Sequence, residues 1–289
     1  MYHHFLPRSY LREWCGSDHK FTRFSRDRRG AFSAKRYGPE SVGGRQDLYA
    51  LQSVPVSQKQ SLELEEFQRI DENAVVPLRL LRNGGIPKDN KARLDWSTLV
   101  FSLILRAPEV IDAYGLEFET EWLNPLDELV EEDPGLSLAV DLVKAHYHDV
   151  EPFAARDYSK RSIVELLKES PEIPQISALE WEVIDFSSFG KPVMTSDCPV
   201  MTRRGSEFTL RSLALAIGPT KIFIAYAAHQ DRAEMLKSRV EDLLEEYNGL
   251  VVSRAKDLVI AFDDTYRTEV ETLMSSSWVP VDRQAPKKI

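Results

Sequence analysis

Residues 209–226 read TLRSLALAIGPTKIFIAY, two apolar runs on either side of Gly218 and Pro219. Short apolar runs bounded by Gly and Pro are typical of β-strands joined by a tight connection. Three more runs of this kind occur in the last third of the chain, at residues 181–186, 192–195 and 258–262. We therefore predict a small sheet in this part of the protein.

Helices are predicted to flank these strands. Asp231 and Glu234 precede an apolar stripe at helical spacing, and Asn248-Gly249 is a typical helix stop. A last helix is expected over residues 265–274. The C-terminal third is thus predicted to be a small sheet between helices.

A helical region is predicted over residues 61–170. Its clearest signal is an apolar stripe at the spacing i, i+3, i+4, i+7, i+8. The stripe consists of Trp96, Leu99, Val100, Leu103 and Ile104. Such spacing and aliphatic content predict that residues 94–106 form one of the most buried helices. Further along, Ser162 and Glu165 have the spacing of a capping box and predict a helix start.

The N-terminal segment, residues 1–50, is predicted to hold a short helix and a β-hairpin. Pro7 suits the first turn of a helix, because proline has no N–H to leave unpaired there. Residues 20–26 and 31–37 alternate in part on either side of a turn at residues 28–30. Taken with the regions above, the fold class is α+β. We predict one domain, residues 1–289, with sub-regions 1–50, 61–170 and 180–280.

We expect neither a membrane span nor a secretory signal in this sequence. Its longest apolar run, residues 99–105, is far shorter than the roughly 20 residues that a bilayer requires. The first residues lack the basic, apolar and small-residue order of a leader. Cys15 and Cys198 are too few for a disulfide framework, which favours two reduced thiols over one bridge. We expect a soluble protein of the cytoplasm.

Charge is distributed unevenly along the chain. Residues 1–45 carry ten Lys and Arg against four Asp and Glu, whereas the whole chain has a net charge of −9. A basic segment on an acidic body can attract phosphate, although Arg-rich turns are commonly just solvated. We expect a nucleic acid or a nucleotide as the partner of this segment and no membrane partner. The sequence does not specify an oligomeric state.

No motif in the sequence specifies a reaction. The phosphate-binding and hydrolase signatures GxGxxG, GxxxxGK[ST], GxSxG and HExxH are all absent. Four separate patches of polar and aromatic residues remain, at residues 4–14, 61–71, 194–200 and 248–255. Any chemistry has to be sought in these patches.

In this order and spacing, the patches resemble a widespread microbial family, domain of unknown function family 4238. The family has His-x-x-Pro-x-x-Tyr-Leu before an aromatic, then a Leu-Glu helix, and later Thr-Ser-Asp-x-Pro-Val. The matching residues here are His4, Pro7, Tyr10, Leu11, Trp14, Leu62, Glu63 and residues 195–200. Asp71 stands where the family has a second Glu, and residues 217–219 depart from its Pro-Leu-Ser-Pro-like strand end. The resemblance covers nearly the whole chain and implies one continuous architecture without specifying a reaction.

Basic candidate residues lie around the first helix. His4 could act as a general acid or base near neutral pH, or could simply cap or pack against the helix. Arg8 and Arg12, spaced i and i+4, share one helix face in line with His4 and could hold an anion. With Lys35 of the hairpin, the two arginines are the predicted phosphate-binding residues.

Acidic candidates lie in two other patches. Asp197 follows a short apolar strand, where it could bind a divalent metal or orient a histidine, or stabilise a turn before Pro199. Glu63 and Glu66 share a helix face, and Asp71 lies about two turns further on. Such carboxylates can bind Mg²⁺ through water or form a solvated face. A divalent cation could bind to these carboxylates, and the sequence specifies neither a cofactor nor a metal.

Two hypotheses for function follow from these residues. In the first, the protein is a hydrolase of the nuclease or phosphodiesterase kind, with His4, Glu63 and Asp197 as catalytic residues. In the second, it is a non-enzymatic binding or regulatory module whose motifs are structural clasps between the hairpin, the helices and the sheet. We expect these three side chains to share one polar pocket. Their convergence in one open cleft would favour the enzyme, whereas scattered or buried and mutually satisfied positions would favour the binding module.

Overall fold

Antiparallel sheets and a large group of helices make up the protein, which confirms the predicted α+β class. The structure is a computed structural model that describes residues 1–27, 29–150, 153–205, 209–236 and 240–277. Within these ranges, no helix is both long and apolar enough to cross a membrane. Cys15 and Cys198 are both free thiols, as the sequence favoured.

The N-terminal unit contains the predicted helix and hairpin and a two-stranded sheet that the sequence did not predict. Its elements are β1 (Tyr2–His4), α1 (Arg8–Leu11), a 3₁₀ turn (Arg12–Trp14), β2 (Phe21–Arg26), β3 (Phe32–Tyr37), a 3₁₀ turn (Pro39–Ser41) and β4 (Gly44–Gln46). Pro7 directly precedes α1, as expected. Strand β1 pairs with β4 in antiparallel register, with His4 opposite Gly44. A Cβ atom at position 44 would lie 2.5 Å from the Tyr2 ring, so only glycine allows this close approach.

The central region is helical, as predicted. It begins with a 3₁₀ turn (Val56–Gln58) and a π-helical segment (Leu62–Phe67), and continues with α2 (Gln68–Asn73), α3 (Val75–Arg82), α4 (Asn90–Leu105), α5 (Pro108–Glu121), α6 (Asn124–Glu132), a 3₁₀ turn (Pro134–Leu136), α7 (Ser137–Val150), α8 (Ala154–Glu169) and α9 (Glu172–Ala178). Helix α4 carries the predicted stripe, and Trp96, Leu99, Val100 and Leu103 are all buried. Asp89 caps its start by accepting the N–H of Ala92.

The helix start predicted at Ser162 is wrong. Helix α8 begins at Ala154, and Ser162 lies in its interior. The earlier residues are helical because they pack against other elements: Ala155 is buried, and the Asp157 carboxylate accepts the backbone N–H groups of Gln52 and Ser53. Tertiary contacts of this kind leave no local signal in the sequence.

The C-terminal region forms the predicted sheet and helices. Its elements are β5 (Glu180–Asp185), a 3₁₀ turn (Ser187–Phe189), β6 (Thr195–Ser196), β7 (Val200–Arg204), β8 (Leu210–Gly218), β9 (Lys221–Tyr226), α10 (His229–Leu236), α11 (Val240–Arg254), β10 (Val259–Ala261) and α12 (Arg267–Ser277). Strands β8 and β9 pair around Gly218, in one antiparallel sheet with the order β5-β9-β8-β7. Trp96 of α4 meets Phe223 of this sheet edge-on, with ring centroids 5.5 Å apart.

The helix stop predicted at Asn248-Gly249 is also wrong, because α11 continues to Arg254. The side chain of Asn248 is occupied by the neighbouring chain segment instead. Its Oδ1 accepts the N–H of Met194 at 2.9 Å, and its Nδ2 donates to the carbonyl of Pro192 at 2.9 Å. These two bonds make Asn248 a tertiary contact rather than a cap.

Strands from both ends of the chain share one sheet. Its order is β3-β2-β10-β6, so the N-terminal hairpin pairs with β10 from near the C-terminus. Beside it, the Trp14 indole donates from Nε1 to the carbonyl of Val193 at 3.0 Å. These contacts hold the N-terminal unit, up to the hairpin, against the C-terminal region.

Candidate active site beside the N-terminal helix

A cavity of about 240 Å³ lies between β1, α1 and α2, and we call it the N-terminal cavity. It is lined by His4, Arg8, Ser9, Arg12, Glu63, Gln68, Asp71, Glu72 and Val75. The structure therefore brings together His4, Glu63, Arg8 and Arg12, four of the residues singled out in the sequence. They come from two segments more than 50 residues apart.

The basic wall of the N-terminal cavity is built by β1 and α1. Strand β1 ends at His4, whose Nε2 lies 3.2 Å from the carbonyl oxygen of Pro39. A carbonyl only accepts, so Nε2 carries the hydrogen and the lone pair of the neutral ring is on Nδ1. Pro7 turns the chain into α1, and α1 with the 3₁₀ turn after it presents Arg8 and Arg12 to the cavity.

The acidic wall is the π-helical segment with α2. Leu62 and Phe67 at the ends of this segment are buried, and the Phe67 ring packs on Tyr49 with centroids 4.2 Å apart. The wide π-helical turn between these two anchors carries Glu63 into the cavity. Such turns are rare and recur at functional sites. Asp71 follows two helical turns later and lines the same cavity.

Arg106, at the end of α4, lies behind these carboxylates and is fully buried. Its Nη1 donates to Asp71 Oδ1 at 2.7 Å. Its Nε and Nη2, together with Glu63 Oε2, are buried without a hydrogen-bond partner among the residues that the structure describes. Buried polar atoms are nearly always paired, so these three mark a place where water or a ligand completes the site.

Burial shifts the pKa values of His4 and Glu63 in opposite directions. Burial raises the pKa of Glu63 to about 7, with the charge of Arg106 opposing this rise. Burial, and then the charge of Arg8, lower the pKa of His4 below its usual 6.5. Burial also raises the pKa of Asp71, against the charge of Arg106. The cavity can thus hold a neutral imidazole beside a carboxyl group that exchanges its proton near neutral pH.

The motifs of the first and third patches contact each other on the far side of α1. The Tyr10 hydroxyl is hydrogen-bonded to the Thr195 hydroxyl at 2.7 Å, in a fully buried position.

The family model described as "Protein of unknown function (DUF4238)" matches residues 2–265. The chain belongs to this family. The resemblance seen in the motifs is thereby confirmed. No curated protein and no solved structure matches the chain.

In this DUF4238 protein, Asp197 is not a wall of the N-terminal cavity. Its buried carboxylate accepts the backbone N–H groups of Lys256, Asp257 and Leu258 at 3.0, 2.5 and 3.1 Å. Burial raises its pKa to about 7, although the N–H groups of Asp257 and Lys256 favour the charged form. The expectation that Asp197 shares a pocket with His4 and Glu63 is therefore wrong. The physical reason is that its acceptor sites are taken up in holding the segment before β10.

Lys35 is also away from the N-terminal cavity. It is exposed on β3, opposite Arg23 of β2, and does not line the cavity. The strand pairing places this lysine beside Arg23 on the hairpin, so the structure does not group it with Arg8 and Arg12. Among the described residues, no three His, Cys, Asp or Glu side chains are grouped as a metal site.

Sequence reasoning missed Arg106, the residue that supports both carboxylates. The available signal was its position directly after the apolar run of residues 99–105, where an arginine at a buried helix end needs a partner. That partner, Asp71, was noted in the sequence as a possible metal ligand. The ion pair between them gives Asp71 a structural task within the site.

Proposed function

We propose that this DUF4238 protein is a hydrolase that cleaves phosphodiester bonds in the N-terminal cavity, with nucleic acids or nucleotides as substrates. The observation that carries the proposal is one cavity lined by His4, Glu63 and two arginines, in which burial lowers the pKa of His4 and raises that of Glu63 to about 7. A pair of groups whose environments push their pKa values apart is typical of acid–base catalysis. The free thiols Cys15 and Cys198 fit the reducing cytoplasm that we propose as its compartment.

The arginines supply the anion-binding half of the site. Arg8 is exposed at the cavity, and its charge acts on His4, Glu63 and Asp71. Arg12 forms a long ion pair with Glu40, at 3.8 Å, and both side chains are more than half exposed. An exposed pair of this kind contributes little stability, so Arg12 is free to exchange Glu40 for a phosphate oxygen. Guanidinium groups bind phosphate oxygens in pairs, which fixes the phosphorus beside the acid and the base.

The proposed reaction uses His4 as the base and Glu63 as the acid. Nδ1 of His4 takes a proton from the attacking water, and the water oxygen forms a bond to phosphorus. The bond from phosphorus to the leaving oxygen breaks, and the carboxyl group of Glu63 gives its proton to that oxygen. The products are a phosphomonoester and an alcohol, and the proton on His4 returns to Glu63 through solvent. Arg8 and Arg12 hold the negative charge that builds up on the phosphoryl oxygens.

The test is cleavage of bis(p-nitrophenyl) phosphate, dinucleotides, RNA and single-stranded DNA, each with EDTA, Mg²⁺ or Mn²⁺. We expect Glu63→Gln and His4→Ala to lower kcat by about 10²-fold or more, as for loss of a general acid or base. The matched controls are Glu65→Gln, on the exposed side of the same π-helical segment, and the exposed His229→Ala. Equal activity of wild type, Glu63→Gln and His4→Ala, with all three folded, would remove the proposal.

The pH profile separates these roles from a structural one. A base that must be neutral gives an acid limb at the pKa of His4, below 6.5, and an acid that must be protonated gives a basic limb near 7. We therefore expect a narrow bell between these two values. Glu63→Gln should abolish the basic limb of any residual activity, whereas Glu65→Gln should leave the whole profile in place.

The second candidate is a non-enzymatic module that binds a phosphate-bearing ligand in the N-terminal cavity without turnover. It is favoured by Asp197 and Tyr10, because these motif residues are structural clasps. In this case, Arg8→Gln should weaken binding of the ligand. The wild type and Glu63→Gln should both release the ligand without cleaving it. Product formation by the wild type, lost in Glu63→Gln, decides for the hydrolase.

A further inference from the structure

A second cavity lies beside the first, and we call it the arginine cavity. Its volume is about 230 Å³, and its walls include Tyr2, Arg23, Arg26, Arg45, Gly43 and Gly44. The three guanidinium groups of this cavity outnumber the acidic groups beside them, so the site is positive. Asp257 is the acidic side chain of this lining, and Arg45 is held by two hydrogen bonds to Asp112. Arg23 contributes a buried Nε that has no partner among the residues the structure describes.

The two cavities lie on either side of one contact between two aromatic rings. Residues i and i+2 of a strand lie on the same face, so Tyr2 and His4 of β1 point the same way. Their rings meet edge-on, with centroids 5.1 Å apart. Tyr2 lines the arginine cavity and His4 lines the N-terminal cavity. An anion in one cavity is therefore separated from an anion in the other by one pair of aromatic rings.

The positive surface also continues past α1. The N-terminal cavity shares Ser9 and Val75 with a smaller cavity of about 140 Å³. The walls of that cavity include Arg79 and Arg82, and Arg82 is paired with Glu13. Adjoining cavities with arginines in each suit a chain of phosphates better than one phosphate group. Proteins that hold single strands use a positive groove that follows the backbone in this manner.

We infer that the substrate is a single-stranded polynucleotide whose scissile phosphate occupies the N-terminal cavity while a neighbouring phosphate binds Arg23 in the arginine cavity. This inference rests on the proposed function and names its substrate class. Tyr2 is 39% exposed, and an exposed aromatic side chain is a surface on which an unpaired base can stack. A duplex keeps its bases stacked on each other and cannot use this ring. A mononucleotide has no second phosphodiester to place on Arg23.

The test measures binding in the absence of cleavage, by fluorescence anisotropy with the Glu63→Gln protein. The probes are a labelled unstructured RNA of about 12 nucleotides, its DNA counterpart, the RNA duplex, and a dinucleotide with one phosphodiester. Arg23→Gln and Tyr2→Ala are added to this background. We expect each to weaken binding of the single strand about tenfold and to change binding of the dinucleotide less than about twofold. Arg23→Gln should also lower the slope of log K against log salt by about one.

Arg29→Gln is the matched control, because it removes the same charge from an exposed position in the same hairpin. Arg23→Lys and Tyr2→Phe, which keep the charge and the ring, guard against loss of folding and should bind more tightly than Arg23→Gln and Tyr2→Ala. Equal losses in Arg23→Gln and Arg29→Gln, or equal losses for the single strand and the dinucleotide, would overturn the inference. So would binding of the duplex as tight as that of the single strand.

Failure of this inference differs from failure of the proposed function. If no substrate is cleaved but Arg23→Gln selectively weakens binding of the single strand, the binding site stands and the hydrolase falls. If phosphodiesters are cleaved but Arg23→Gln and Tyr2→Ala leave binding of the single strand unchanged, the hydrolase stands and the polynucleotide site falls.

Discussion

The hydroxyl oxygens of Tyr10 and Thr195 lie 2.7 Å apart, although 185 residues separate them along the chain. Both residues are fully buried. The hydrogen bond between the two hydroxyl groups links α1 to β6, which is itself paired with β10. Since α1 also carries Arg8 into the N-terminal cavity, this buried bond positions the basic wall of the candidate site.

Removing either hydroxyl should destabilise the protein. Tyr10→Phe or Thr195→Val leaves one buried group unpaired, and we expect each to lower the free energy of unfolding by about 1 to 3 kcal/mol. The double variant should lose less than the sum of the two, because no unpaired partner remains. Urea unfolding of the four proteins measures this coupling, and strictly additive losses would contradict it.

Truncation of the α4 stripe should be costly. Leu103 is 2% exposed, and Leu103→Ala should lower the free energy of unfolding by about 2 to 5 kcal/mol, because it leaves a cavity in the core. Leu116→Ala on α5 is the control, since this side chain is 63% exposed and its loss should change stability by less than about 0.5 kcal/mol. A similarly small effect of Leu103→Ala would mean that α4 is peripheral.

Asp197→Asn should act on stability and not on the site. An asparagine offers one oxygen to three N–H groups and turns an N–H₂ group towards them, so we expect a loss of about 1 to 3 kcal/mol. The exposed Asp264→Asn is the control. At a temperature where both variants are folded, their phosphodiesterase activity should equal that of the wild type. If Asp197→Asn keeps a normal melting temperature but loses activity, Asp197 has a catalytic role after all.

Glu63→Gln should stabilise the protein at high pH. The pKa of Glu63 is about 7 when folded and 4.5 as a free side chain, so the folded state binds more protons between these values. Stability then falls as the pH rises from about 4.5 to about 7, and the penalty persists above 7. Glutamine carries no charge to bury.

We therefore expect the variant to gain on the order of 1 to 2 kcal/mol over the wild type at pH 8, allowing for screening by solvent, and to gain nothing at pH 4. Thermal unfolding at both pH values measures the difference, with Glu65→Gln as the pH-matched control. A stability difference that is the same at pH 4 and pH 8 would show that Glu63 titrates normally.

Local patterns were enough to predict the most regular helix, α4, and the hairpin. The i, i+3, i+4 stripe of residues 96–104 gave α4, and the alternation around the turn at residues 28–30 gave β2 and β3. Both signals report which side of an element is apolar, a property that each segment carries by itself. The predictions at Ser162 and Asn248 failed because a polar side chain can either mark the end of a helix or lie inside one, and local spacing does not distinguish the two. Only the neighbouring segment determined that Asn248 bonds to Met194 instead of ending a helix.

In the candidate site, too, some features follow from local spacing and others only from tertiary contacts. The sequence by itself determined that Arg8 and Arg12 share a helix face, because helical spacing places i and i+4 side by side. It could not separate Glu63 from Asp197, since both are carboxylates in family motifs. Tertiary structure decided that Glu63 faces the cavity, with Arg106 behind it, and that Asp197 binds three backbone N–H groups. The physical reason is that the partners of a buried charge come from distant segments, and their approach depends on packing of the whole core rather than on local spacing.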